Sequence, residues 1–424
     1  PKAIHEVERE HLLARLDDAR VGSSPDTLLD AYDKPLIHTL RAGRTDEAAS
    51  LYFRSLGGFG HLGLQRGAMS RGIRIVREFA DDGDPARMTT AIDTSRRARL
   101  VYDWGLYAGA LGDLALASRC YRIHGALTRD SGLLAALTTS LRALAYTERL
   151  AGSLTEALRL AEAAAAVAHE VAADGAVVRA LALKARVLHD LGRVDESDAC
   201  FLEVRRLGDR PFARRSFWEA EHGLALGRVA AARAEVEGNL AGLRELGWDG
   251  HRAHAETILG EVALVGDEPD PQRASAHLAY VRGWTAVTGE VEVVLRCQAL
   301  AARIGLAERR FSDADSAIHS GLALSETCGF GLFAVDFSNL RLARALAVDA
   351  GASEAATQAL TAARARPAYA WGLADALYLA GLAALAEDRA GARALLGEAE
   401  RVRARLRHPA LAATREALAR AGES

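Results

Sequence analysis

The stretch LRALAYTERLAGSLTEALRLAEAAAAVA, residues 141–168, is echoed by VVRALALKARVLHDLGRVDESDACFLEVRRL, residues 177–207. Each copy is a helical run, a glycine (Gly152 or Gly192) and a second helical run. Ala145 and Leu150 in the first copy, and Ala185 and Leu188 in the second, recur at helical spacing and paint one face of the first helix. Five residues past each glycine stands a small residue, Ala157 or Ser197, where a second helix can approach closely. The unit is a helical hairpin used as a tile.

The same glycine-to-small spacing recurs at Gly43 with Ala48, Gly67 with Gly72, Gly112 with Ala117, Gly227 with Ala232 and Gly351 with Ala356. Weaker copies stand at Gly266, stretched by the insert DEPDPQ, at Arg309 with Ala314, and at Glu387 with Ala392. From Gly112 onward the intervals are 40, 40, 35, 39, 43, 42 and 36 residues, a step that points to a repeat array. A chain of 424 residues exceeds the roughly 250–300 residues that one hydrophobic core supports. A stacked array escapes that ceiling because each tile buries its face only against its neighbours.

Composition narrows the function. Half of the residues are hydrophobic and the net charge is −3, which favours neither nucleic acid nor an anionic membrane surface as partner. With no 18-residue apolar run and no signal peptide, a soluble cytoplasmic protein is expected. The cysteines, Cys120, Cys200, Cys297 and Cys328, are scattered without a CxxC pair and read as free thiols. Lysine occurs only at Lys2, Lys34 and Lys184, so the basic charge is almost entirely arginine.

In chain order, residues 1–24 read as an N-terminal helix closing an upstream domain, and residues 25–84 as atypical first hairpins with hinges only 24 residues apart. Residues 85–424 read as the regular array, ending in a capping helix. The acidic ADDGDPAR segment (80–87) marks a joint or long loop between them. Gly57-Gly58-Phe59-Gly60 could suggest a phosphate loop, but no strand precedes it and no Gly-Lys-Ser/Thr follows, so a helix cap and turn is expected.

The array resembles tetratricopeptide (TPR) repeats: a small residue within the first helix, a glycine ending it and an alanine opening the second, as in Ala145–Gly152–Ala157 and Ala185–Gly192–Ser197. The resemblance spans roughly Leu29 to Ala417 and implies an all-α fold, tandem hairpins stacked as a right-handed superhelix. The step here is nearer 40 residues than the ~34 usual for the family. Such lengthened repeats are similar to the sensor arms of STAND-type NTPases and ATP-dependent transcriptional regulators. His5-Glu-Val-Glu-Arg9 is similar to the His-x-x-x-Arg segment that closes the winged-helix domain preceding those arms. The resemblance implies a non-catalytic module that recognises a protein or peptide and acts on an N-terminal NTPase or effector domain in the parent chain. A free-standing regulator binding a small signalling peptide is the alternative, and the scaffold portion of an enzyme a weaker one.

In TPR arrays the first helix of each pair lines the concave groove. Counting back thirteen, ten and six residues from each hinge gives Arg99, Tyr102, Arg142, Tyr146, Arg179, Arg186, Arg214, Phe217, Arg296, Arg303 and Arg341, with Glu221 among them. A stripe of arginines suits carboxylates through the planar guanidinium fork, so an acidic protein or peptide is the expected partner and nucleic acid is disfavoured. No catalytic motif, cofactor motif or metal site emerges, and no enzyme is expected. His251-x-x-His254 followed by Glu256 lacks the metalloprotease phrase and reads as a solvent-facing pair. The tryptophans Trp104, Trp218, Trp248, Trp284 and Trp371 read as hairpin-core fillers.

Overall fold

The computed structural model describes residues 2, 4–10, 25–207, 214–265 and 268–422, the side chains of 25–32 and 214–216 excepted. Helix α1 (Pro25–Arg41) leads into α2 (Thr45–Ser50), and two short π-helical stretches, Leu51–Ser55 and Gly60–Gln65, precede α3 (Met69–Arg77). The array follows as α4 (Thr94–Ala110) with α5 (Leu114–Asp130), α6 (Leu134–Ala151) with α7 (Leu154–Glu170), and α8 (Asp174–Asp190) with α9 (Val194–Arg206). It continues with α10 (Arg214–Ala225) and α11 (Val229–Glu245), α12 (Asp249–Val265) and α13 (Pro271–Thr288), and α14 (Val291–Ala307) and α15 (Phe311–Cys328). The last hairpins are α16 (Gly331–Val348) with α17 (Ala352–Arg364) and α18 (Ala370–Ala384) with α19 (Arg389–Arg405), closed by α20 (Leu411–Gly422). Among the described residues the only β pairing is an isolated bridge between Ala80 and Met88. The fold is all-α, built of tandem helical hairpins. The first helices α8, α10, α12, α14, α16 and α18 pack successively side by side.

A left-handed residue closes the hinges. Gly112, Gly152, Gly192 and Gly227 all have φ between 73° and 91°. At each, the glycine N–H and the N–H after it turn back onto carbonyls of the last helical turn. At Gly192 these are His189 O at 2.8 Å and, from Arg193, Leu188 O at 2.9 Å, the Schellman pattern. Arg309 adopts the same conformation at φ 57° without being glycine. The small residues that follow are buried as expected: Ala117, Ala157, Ser197 and Ala314 have no exposed surface. Ser197 also donates its hydroxyl to Ala185 O of the first helix at 2.8 Å.

Two of the weak copies fare differently. Gly266 lies outside the described residues, and Glu387 is not left-handed; there the turn is closed by Asp388, whose carboxylate accepts from Gly391 N at 2.8 Å. The turns between hairpins reuse the same left-handed closure at Gly132, Ala172, Gly247 and Gly329.

The chain divides into two compact units, residues 1–140 with 288–290 and residues 141–287 with 291–424. In the first, Tyr52, Leu62, Met69, Trp104 and Tyr107 form one buried core that joins the opening helices to α4. A Cβ on Gly72 would lie 2.1 Å from the Tyr107 ring, so the small residue of that hinge is dictated by a ring. Gly57 and Gly58 are both left-handed and aim Phe59 N at Asp103 Oδ2, 3.2 Å away, which also accepts the Tyr52 hydroxyl at 2.9 Å. The glycine cluster is therefore a turn onto a buried carboxylate. Burial, opposed by those two hydrogen bonds, raises Asp103 to a pKa of about 6. ADDGDPAR forms two 3-10 turns, Asp81–Gly83 and Pro85–Arg87.

In the second unit the hairpins also meet at long sequence range. Trp371 Nε1 donates to His189 O at 2.8 Å, and a Cβ on Gly192 would come within 2.7 Å of Leu406 and 2.8 Å of Ala370. Gly192→Ala therefore combines a left-handed strain of roughly 1–2 kcal/mol with two collisions. Gly247→Ala carries the same strain in open space. Urea denaturation should show Gly192→Ala losing at least twice the stability that Gly247→Ala loses; equal losses would remove Gly192 from the packed hinges.

Candidate recognition site

The first helices of the second unit carry most of the residues singled out from sequence, and two groups among them differ in geometry. The larger group is consumed internally. Glu221 of α10 receives Arg186 of α8, Arg296 of α14 (Nη1 to Oε1, 2.5 Å) and His254 of α12 (3.2 Å). Arg296 also pairs with Glu292 at 3.1 Å, and Glu292 in turn accepts the hydroxyl of Tyr146 from α6. Arg149, fully enclosed, binds Asp190 at 2.5 Å, and Arg303 binds Glu261. Burial pushes the Glu221 carboxyl up, but Arg186, Arg296 and the His254 hydrogen bond overcome it and hold the group well below the usual range. Burial likewise keeps His189, His222 and His254 neutral, with nearby guanidiniums reinforcing it. The Nδ1 atoms of His189 and His222 lie 3.0 Å apart, a hydrogen bond in which whichever neutral ring carries the Nδ1 proton donates to the other.

Three expectations are corrected here. His254 is not solvent-facing; it is buried against the Phe217 ring, and His251 is half-buried against Trp248. Phe217 has no exposed surface and fills the α10–α12 core, so it offers nothing to a ligand. Arg186 and Arg296, counted as groove cations, are neutralised by Glu221, the acidic member of the same counted positions. The partners Arg149 and His189 stand three residues before Gly152 and Gly192. Extending the count by one turn toward the hinge would have found them. Among the other counted positions, Arg142 is half-buried, Arg179 is exposed, and the side chain of Arg214 lies outside the described residues. In the first unit, the exposed Arg99 lies 4.8 Å over the Phe53 ring, and Tyr102 packs between Tyr121 and His124.

The smaller group is Arg341. With Arg366 it lines a cleft of about 550 Å³ between α15, α16 and α17, and neither guanidinium has a carboxylate partner among the described residues. The Nε of Arg341 is buried with no hydrogen-bond partner. Arg366 is seated by two glycines. A Cβ on Gly152 would lie 3.1 Å from its side chain, and one on Gly331 would lie 2.3 Å from its Nε and 2.3 Å from Ala151 O. The hinge glycine of the first quoted repeat thus also makes room for a cation 214 residues later, a relation invisible to a count along the chain.

No family model matches the chain, and the comparison with curated proteins found no match. Among solved structures it is similar to a Rap protein complexed with competence and sporulation factor, at 13% identity and a TM-score of 0.34 over 100% of this chain and 98% of that one. It is also similar to Naa15/Naa10 bound to HypK-THB, at 11% identity and 0.26 over 99% and 80%. A circular tandem repeat protein with novel repeat topology gives 14% and 0.17 over 99% and 94%. At these scores the likenesses carry no weight, and the fold and site stand on the chain's own geometry. Among the described residues no group of three or more His, Cys, Asp or Glu side chains could hold a metal ion, and no helix is long and apolar enough to cross a membrane.

Removing the hub of the ion-pair cluster should be severe, because it leaves guanidiniums buried without their charge partner. Glu221→Gln, close to isosteric, should cost about 3 kcal/mol or more in chemical denaturation. Glu162→Gln, which removes the exposed partner of Lys184, should cost under about 1 kcal/mol. Comparable losses in the two variants would contradict a structural role for the Glu221 cluster.

Proposed function

We propose that the chain is a non-catalytic recognition module that captures an acidic segment of a protein or peptide in the Arg341–Arg366 cleft. One observation carries this reading: Arg149, Arg186, Arg296 and Arg303 on the first helices are each matched by a carboxylate of the chain itself, whereas Arg341 and Arg366 have none among the described residues. Burying a guanidinium edge without an acceptor is costly, and an incoming carboxylate removes that cost. The cleft lies within the roughly 300–1,000 Å³ range of ordinary ligand sites. In the same reading the module is the ligand-sensing arm of a larger bacterial signalling protein of STAND type, supported by the resemblance of the His5–Arg9 segment. That segment is helical, and Arg9 pairs with Glu47 at 2.6 Å.

The test uses the full chain and a fluorescent short peptide with three central glutamates, against its glutamine counterpart. The glutamate peptide should bind more tightly, and Arg341→Glu with Arg366→Glu should weaken it at least tenfold while helical circular dichroism is unchanged. Equal binding of the two peptides, or an unaffected double variant, would overturn the reading. Arg186→Glu is unsuitable for this purpose, since it would oppose Glu221 and report on stability.

A further inference from the structure

The cleft's lining chooses between two kinds of anion. Its hydroxyls have spent their protons on their own helices: Ser338 donates to Ala334 O at 2.8 Å and Ser325 to Leu322 O at 2.9 Å. Thr357 donates to Ser353 O at 3.0 Å and Thr361 to Thr357 O at 2.7 Å. The Gln358 amide nitrogen is likewise turned to Glu354, 3.1 Å away. What the hydroxyls present to the cleft is lone pairs, and the exposed carboxylate of Glu326 adds more. Beside the second N–H of Gln358, the side-chain donors among the described lining residues are those of Arg341 and Arg366.

We infer that the cleft takes a carboxylate carried on a peptide chain and rejects a phosphate group. This rests on the recognition reading above. A phosphate brings acceptor oxygens on every side and about −1.5 to −2 of charge, so any oxygen not on an arginine would face hydroxyl lone pairs and Glu326. A carboxylate has only two oxygens, which one guanidinium fork satisfies. The peptide N–H groups flanking an acidic residue then supply the donors that the hydroxyl oxygens and Glu326 require. Recognition is of the pair, an acidic side chain and the amides beside it.

The discriminating experiment places phosphoserine at the middle glutamate of the same peptide and measures its affinity for the full chain. It also adds inorganic phosphate as competitor against chloride at matched ionic strength. The glutamate peptide should bind at least fivefold more tightly than the phosphoserine one, and inorganic phosphate should displace it no better than chloride. A phosphopeptide of equal or higher affinity, or specific displacement by phosphate, would overturn the carboxylate assignment while leaving recognition at this cleft intact. If neither peptide binds in a manner sensitive to Arg341→Glu, the recognition reading falls and this inference with it.

Discussion

The structure depends on a backbone constraint: a residue in the left-handed conformation that ends one helix and returns the chain so that the next can cross it closely. With φ positive, two N–H groups reach back to carbonyls that the helix end would otherwise leave unpaired. The same geometry closes the turns within hairpins at Gly112, Gly152, Gly192 and Gly227 and those between hairpins at Gly132, Gly247 and Gly329. Because the turn fixes where the second helix begins, the residue five positions on falls at the crossing, and anything larger than Ala or Ser there would hold the helices apart. Stacking follows, since a hairpin closed this way still has an unburied apolar face that only a neighbour can cover.

That constraint was legible in the chain because it requires particular residue types at particular spacing. The hinge glycines and their small followers marked the hairpins from Gly43 to Gly351 without coordinates. Where other residues do the same work, the pattern fades: Ala172 and Arg309 are left-handed without being glycine, and Asp388 closes its turn through a side-chain cap. The opening segment was harder still. Its hinge at Gly67 is followed by Gly72 because the Tyr107 ring occupies the space, a tertiary reason that spacing cannot express.

The site was legible in part. Counting from the hinges placed Arg186, Glu221, Arg296 and Arg341 on first-helix faces, and those faces do carry the charged residues. What the count could not supply is which charges meet. Glu221 lies 75 residues from Arg296, and Tyr146 lies 146 residues from Glu292; their pairing depends on how successive hairpins stack. Three of the arginines that looked like a stripe for a partner, Arg186, Arg296 and Arg303, are thereby partners of the chain's own carboxylates. In a buried setting this is the expected outcome, because an unmatched charge there costs several kcal/mol. The exception at Arg341 and Arg366 stands out against that background, and Gly152 and Gly331 give it a physical cause by holding Arg366 in place with no room for any other side chain.

The division between committed and uncommitted arginines can be read directly from the Nε–H resonances of the full chain, assigned by single-site substitution, as an acidic peptide is added. The resonances of Arg341 and Arg366 should move in a saturable way with a common affinity while those of Arg186 and Arg296 stay in place. Movement of Arg186 and Arg296 with Arg341 and Arg366 unchanged would show that the Glu221 cluster opens to the ligand, and would contradict the account.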